Sequence, residues 1–244
     1  MTVHAPTVDP KVNWFHARRF CLRDGDGPEL ARASGDSGFV AHLSACTHGA
    51  TGWDWSFRLV KPGKGWTFAS DGRLSLFLDE PGQYVPDDAK VGDLVAVRLP
   101  RARENLHPHR FTLFGGQGGP TVGHGFKKYF LPIAWEVAPL LVETLSGRAG
   151  DGLRFGLYVA NAPADYARAD AAVLDVGAAD EAAVVKVLED FSRGNPTAFA
   201  RRGLPYGTQL GALELPMAEA FTKADLCDGY GWRRSREAVQ SGVA

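Results

Sequence analysis

The sequence predicts an α+β protein, in which a β-rich N-terminal half packs on a mixed sheet with helices. Three observations lead there. Between Trp53 and Pro100 the pattern is that of strands, beginning with the alternation of Trp53, Trp55, Phe57 and Leu59 with polar partners. After a glycine-rich stretch, Gly115 to Gly125, the period lengthens and helical patterns interleave with strands. The chain has 244 residues, of which 45% are hydrophobic and 23% charged, enough apolar material for a sizeable core. The glycine-rich stretch is the expected border between an N-terminal β-rich region, 1–114, and an α+β region, 115–244, packed as one compact unit.

Taken in order, residues 1–52 are broken by Asp24-Gly25-Asp26-Gly27-Pro28 and Ser34-Gly35-Asp36-Ser37-Gly38 and read as loop-rich. Phe39 to Cys46 fits one amphipathic helix, with Phe39, Leu43 and Cys46 near one face. Trp53, Trp55, Phe57 and Leu59 alternate with polar partners and predict a strand. Trp66 to Phe68, a turn at Asp71-Gly72 and Leu74 to Leu78 predict a hairpin. Leu94 to Leu99 is a further strand, closed by Pro100. Phe126 to Leu131 is strand-like. Glu136 to Leu145 is helical, with Pro139 in the first turn, where a missing N–H costs nothing. Leu153 to Val159 and Ala171 to Val176 are strands flanking a short helix, Pro163 to Arg168. Asp180 to Phe191 is an amphipathic helix with an acidic first turn, and Trp232 to Gln240 is a final helix.

Charge excludes several classes of function. With 27 basic and 28 acidic residues the net charge is -1, so no basic excess marks a nucleic-acid or membrane-surface binder. No apolar run reaches the length of a bilayer span, and the first eleven residues lack the pattern of a secretory signal. Cys21, Cys46 and Cys227 are odd in number and far apart, which predicts reduced thiols in a cytoplasmic protein.

Familiar catalytic motifs are missing. Gly116 and Gly118 are followed by Thr121 where a dinucleotide fingerprint needs glycine, and no Lys-Ser/Thr closes the stretch as in a P-loop. No G-x-S-x-G elbow exists. His107 and His109 are the only close histidine pair, and without a third ligand they predict no metal site. The acidic pairs Asp24/Asp26 and Asp87/Asp88 lie in turn-like runs and read as turn formers. No cofactor is expected. The aromatics Trp53, Trp55, Phe57 and Trp66 read as packed core, with a peptide groove as the alternative.

Basic residues at element ends form the one remaining constellation: Lys127, Lys128, Arg154, Arg168, Arg233, Arg234 and Arg236. Singly, each is explained by strand flanks and helix ends. Together they suit a phosphate, which an Arg fork and a Lys point charge both recognise.

The segment KKYFLPIAWEVAPLLVETLSGRAGDGLRFGLYVANAPADYARADAAVLDVG, from Lys127 to Gly177, resembles the core of the HopA-type effector family. LPYGTQLGALELP (204–216) and GYGWRRSREAVQ (229–240) do so as well. Upstream, GWTFASDGRLSLFLDE and GDLVAVRLPRARENLHPHRFTLFGG resemble that family's β-rich part. The resemblance runs from about Phe39 to the end and rests on spacing and residue type. The family includes plant-pathogen type III effectors and bacterial proteins of class V lanthipeptide and thioamitide pathways.

What the resemblance implies is a phosphothreonine-lyase-like core. Such a protein works on a precursor peptide beside an aminoglycoside-phosphotransferase-like kinase, with a cyclase as a further partner. The kinase phosphorylates Ser or Thr, and the lyase removes the Cα proton and expels phosphate, leaving a dehydroamino acid. That chemistry needs a base, an acid for the leaving oxygen and cations around the phosphate. Lys128 matches the Lys of the lyases' first strand. The acid His of that pattern falls on Phe130, and the base Lys falls on Tyr158. Arg168 and Arg234 match phosphate-binding positions. The resemblance therefore implies Lys128, Tyr158 and His124 as catalytic candidates, with Lys127, Arg168 and Arg234 as phosphate ligands. With acid and base positions altered, two alternatives stay open: a catalytically degenerate substrate-binding partner of the kinase or cyclase, and an effector that binds a host protein.

Overall fold

A computed structural model describes residues 35–72, 74–107, 109–120, 126–148, 152–167, 171–199, 208–210, 213–218, 237 and 239–241. The first helix, α1 (Ser37–Ala45), starts where Asp36 Oδ1 accepts a hydrogen bond from Phe39 N at 2.9 Å. That cap satisfies one of the helix's free N–H groups, and Phe39 and Leu43, one turn apart, are its buried face.

Five strands then form an antiparallel sheet in the order β3-β2-β1-β5-β4. They are β1 (Thr51–Gly63), β2 (Trp66–Ser70), β3 (Ser75–Leu78), β4 (Tyr84–Val85) and β5 (Leu94–Pro100). The predicted hairpin is β2–β3, with Asp71 Oδ1 accepting from Leu74 N at 2.7 Å to fold the turn. Phe57, Leu59, Ala69, Leu78, Val95 and Val97 make this sheet's own core. Phe57 belongs to that core as expected, whereas Trp53, Trp55 and Trp66 are only partly buried.

The second sheet has seven strands in the order β11-β12-β8-β10-β9-β7-β6. These are β6 (Ala102–His107), β7 (Arg110–Phe114), β8 (Phe126–Leu131), β9 (Phe155–Ala160), β10 (Ala172–Gly177), β11 (Thr208–Leu210) and β12 (Leu213–Ala218). It corrects the expected mixed sheet, because every described pairing in it is antiparallel. The interleaving of strands and helices did report a real crossover. Strands β8 and β9 both run antiparallel to β10 and hence parallel to each other, with α2 (Ala138–Arg148) in the connection. Strand β10 inserts between them, so each meets an antiparallel neighbour.

A single 3-10 turn, Trp135–Val137, leads into α2 and puts Pro139 in its first turn. Helix α3 (Glu181–Gly194) buries Val184, Leu188 and Phe191 along one stripe. Helices α1, α2 and α3 cover one face of the seven-stranded sheet. Leu43, Leu141, Leu145, Val184, Leu188 and Phe191 meet Leu113, Leu131, Leu157, Val159, Leu174 and Val176 in the larger core. Of the final helix expected over 232–240, residues 232–236 and 238 lie outside the described residues, and 237, 239 and 240 are helical.

Glycines join the two sheets by letting backbones touch. Trp53 N donates to Gly116 O at 2.8 Å, and Gly115 N donates to Phe155 O at 3.0 Å. A Cβ at Gly115 would run into the Leu153 carbonyl, and Gly118, at φ +84°, lies against the Trp53 carbonyl. No other residue type fits both demands. The glycine-rich stretch, described as far as residue 120, is thus a seam, and strands from both sides of it, β6 and β7 among them, share one sheet.

Candidate functional site

Side chains alternate across a strand, so the face of the seven-stranded sheet turned away from α1, α2 and α3 carries a predictable set. Register puts Lys128 of β8 opposite Asp175 of β10, which lies opposite Gly156 of β9, itself opposite Phe114 of β7. The adjacent row holds Phe130, Val173, Tyr158, Thr112 and Arg103.

Lys128 and Tyr158 are brought together by this register. The Lys128 Nζ lies 5.8 Å from the centroid of the Tyr158 ring. That ring leans back along its own strand, and a Cβ at Gly156 would sit 2.9 Å from the Tyr158 hydroxyl oxygen, so glycine makes room for the phenol. Lys128 Nζ also lies 2.7 Å from Asp175 Oδ1 and donates to Oδ2 at 3.0 Å. Burial pushes the Asp175 carboxyl above its usual range, while the charge and hydrogen bond of Lys128 pull it back. Lys128 thus contacts both oxygens of the Asp175 carboxylate.

Beyond Tyr158 the row continues with rings and charges. Phe114 meets Tyr158 edge-on at 6.3 Å, and the Arg103 guanidinium lies 4.3 Å above the Phe114 ring. Arg103 in turn donates to Asp54 Oδ2 at 3.0 Å, and Asp54 Oδ1 accepts from Ser56 N and Oγ at 3.1 and 2.6 Å. The band runs from β8 to β1, across the seam between the sheets. Two cations, each with its own carboxylate, bracket an aromatic pair.

The other predicted residues fall elsewhere. Lys127, one residue from Lys128, faces the helices, where its Nζ lies 2.6 Å from Glu181 Oε1. Tyr129 donates to the same oxygen at 2.6 Å. Burial alone would raise the Glu181 carboxyl, but hydrogen bonds from Lys127 and Tyr129 and the Lys127 charge outweigh it and hold it below the usual range. The two lysines therefore do not converge on one ligand from β8. His124, Arg168 and Arg234 lie outside the described residues, as do Arg233 and Arg236. Arg154 lies 5.9 Å from the Trp55 ring near the seam.

Phe130, at the position implied for the acid, is a buried hydrocarbon two strands from Tyr158 in the same row. His107 ends β6 and His109 occupies the turn after it, at φ 61°. Among the described residues no three His, Cys, Asp or Glu side chains gather as metal ligands. Cys46 has its thiol pushed up by burial and by Glu143, which keeps it protonated and poorly nucleophilic. Asp175, Arg103, Phe114 and Asp54 were missed from sequence. The one available signal was Asp175 itself, a lone charge inside the apolar run Ala-Val-Leu-Asp-Val-Gly, where an unpaired carboxylate is too costly to bury.

These elements define an α+β protein whose helix-backed antiparallel sheet presents paired charges and edge-on rings on its other face. The sequence pattern of the HopA1 effector protein family matches residues 101–236, more than half of the chain, and this chain belongs to that family. The match takes in β6 to β10 and hence Lys128, Tyr158 and Asp175. No individual curated protein matches the chain. Among the described residues no helix is long and apolar enough to cross a membrane.

Proposed function

We propose that this chain acts as a binding member of the HopA1 effector family, gripping an anionic side chain of a partner protein on the Lys128 face. The observation that carries this reading is the ion pair of Lys128 with Asp175. Lys128 places positive charge on this face, and a carboxylate or phosphate from outside can share it with Asp175. Its contact with Asp175 engages the nitrogen that would have to take the Cα proton, which supports binding over base catalysis. Phe130 has no proton to donate, which supports a binding role over acid–base chemistry at that position. Tyr158 and Phe114 supply flat surfaces for the partner's apolar groups.

The test offers the full chain a phosphothreonine peptide and follows both binding and mass. The peptide is expected to bind and keep its phosphate, with Lys128→Ala weakening binding roughly tenfold, the worth of a charge-assisted hydrogen bond. Release of phosphate with formation of dehydrobutyrine would overturn the reading.

That outcome belongs to a second reading, which the 5.8 Å approach of Lys128 to Tyr158 favours. In it the chain is a cytoplasmic phosphothreonine or phosphoserine lyase of lanthipeptide or thioamitide biosynthesis. A base takes the Cα proton, the electron pair becomes the Cα–Cβ double bond, and the Cβ–O bond breaks to release phosphate. Its partners are the precursor peptide, an aminoglycoside-phosphotransferase-like kinase and a cyclase. Supplying that kinase, ATP and the precursor then yields a peptide lighter by one water for each modified Ser or Thr.

A further inference from the structure

The outer face of the five-stranded sheet carries a second surface, which the Lys128 site does not use. Strand alternation puts Arg58 of β1, Trp66 and Phe68 of β2, Phe77 of β3, and Leu94 and Arg98 of β5 there, opposite the sheet's own core. Trp66, Phe68 and Phe77 form a triangle, with ring centroids 5.6, 5.8 and 5.3 Å apart. The Trp66 ring lies over Gly63, where any Cβ would collide with it. A bulge between Leu59 and Lys61 breaks the alternation of β1 and sets Lys61 opposite Phe68, with its Nζ 5.7 Å from the Trp66 centroid. Val60, the extra residue of the bulge, is 51% exposed, Phe77 53% and Leu94 43%.

Two features decide what such a face accepts. Its charge has one sign. Among the described residues Arg58, Lys61 and Arg98 meet no carboxylate: Arg58 donates to Gly92 O, Arg98 donates to Thr51 Oγ1, and Lys61 lies beside the Trp66 ring. The only acidic residue in β1, β2, β3 and β5 is Asp54, which is buried against Arg103. In the neighbouring turns, the carboxylates of Asp71 and Asp93 accept from Leu74 N and Lys90 N. The second feature is breadth. Phe77 and Leu94 stand three strand spacings apart, about 14 Å, with cations between them. A helix about 10 Å across touches such a face along one stripe only, whereas a planar anionic surface reaches all of it at once. We propose that this face rests on a membrane surface rich in anionic lipid headgroups. Phe77, Val60 and Leu94 enter the headgroup layer with Trp66 at its level, and Arg58, Lys61 and Arg98 meet the lipid phosphates and carboxylates. The chain's net charge is -1, so the remainder is acidic on balance and an anionic surface attracts this face alone. A nucleic acid fits less well, because it offers phosphates but leaves Val60 and Leu94 without apolar partners.

The full chain, mixed with phosphatidylcholine vesicles holding about 30% phosphatidylserine and read by co-sedimentation, tests this. It is expected to bind these vesicles roughly tenfold more tightly than pure phosphatidylcholine, and to lose that advantage in about 0.5 M salt. Phe77→Ser should weaken binding roughly tenfold, because the most exposed ring of the face no longer enters the headgroup layer. Lys61→Ala should weaken it about fivefold. Both positions are exposed, so unfolding midpoints of the two variants should match the parent. Lys186→Ala removes an exposed cation of α3, away from this face, and should leave binding unchanged. Equal binding of the two vesicles, no binding of either, indifference to Phe77→Ser or to Lys61→Ala, or an equal loss in Lys186→Ala would overturn the proposal. Tighter binding of an oligothymidine or of a polyglutamate peptide would overturn it too, by assigning the face to a different polyanion.

Discussion

At the scale of residues, the pair Lys128–Asp175 does the most to define the candidate site. Its side chains are 15% and 8% exposed, so neither is bathed in solvent, and burial makes the Asp175 carboxylate depend on Lys128. Asp175→Asn is expected to cost about 3 kcal/mol in urea denaturation, because it leaves a largely buried ammonium with a neutral amide. The double variant Lys128→Met/Asp175→Leu should recover most of that loss, since an apolar pair of similar volume carries no desolvation debt. If the double variant is as unstable as the single one, packing rather than charge holds these strands together. Of the two residues, Lys128 was legible from sequence as a cation on a strand, whereas its partner lies 47 positions away and was invisible until register was known.

On the scale of elements, the N-terminal turn of α3 is tied to β8 through Glu181. Lys127 and Tyr129 converge on one carboxylate oxygen at the first turn of the helix, where a negative charge also complements the helix dipole. The carboxyl sits lower in the folded chain than in the unfolded one. Its stabilisation is therefore fully present above the ordinary glutamate range and is lost as pH falls through the folded value. Glu181→Gln should cost about 1–2 kcal/mol at neutral pH. It should also flatten the acid limb of the stability curve below pH about 4.5, as linkage requires. A parallel pair of acid limbs in wild type and variant would disprove the assignment. The helix itself was readable from its acidic start and its apolar stripe. The Lys127 contact was not, because adjacent strand residues face opposite ways and sequence could not say which lysine faced the helices.

For the molecule as a whole, the buried Arg101 joins the parts. It is 2% exposed, between β5 and β6, with Nε donating to Phe114 O at 3.1 Å. Its Nη1 donates to His48 O at 2.9 Å and Ser146 O at 3.3 Å. One guanidinium thus ties the end of β7, the loop after α1 and the last turn of α2 to the junction of the two sheets. Arg101→Met should cost about 3 kcal/mol and lower Tm by roughly 10 °C in calorimetry, because three carbonyls lose a donor that water cannot replace. A Tm within a degree or two of the parent would show that water or neighbouring groups fill that role. Nothing around Arg101 in the sequence announces this, since Arg-Ala-Arg-Glu reads as an exposed polar stretch.

The same contrast runs through the fold. The α+β class, α1, the β2–β3 hairpin, β5, β8 and the amphipathic α3 were set by local period, caps and turn residues, which act over a few positions. Strand β7 was missed because four of its five residues are buried, leaving no alternation to read. Strand β6 was missed because its charges suit an edge. Sequence by itself determined the helices, many of the strands and the family they belong to. Tertiary structure alone decided that β10 inserts between β8 and β9 and that Lys128 meets Asp175 and Tyr158 while Lys127 turns away. The reason is physical: hydrogen-bonded register couples residues far apart in the chain, and a period-two alternation assigns a face only once the neighbouring strands are known.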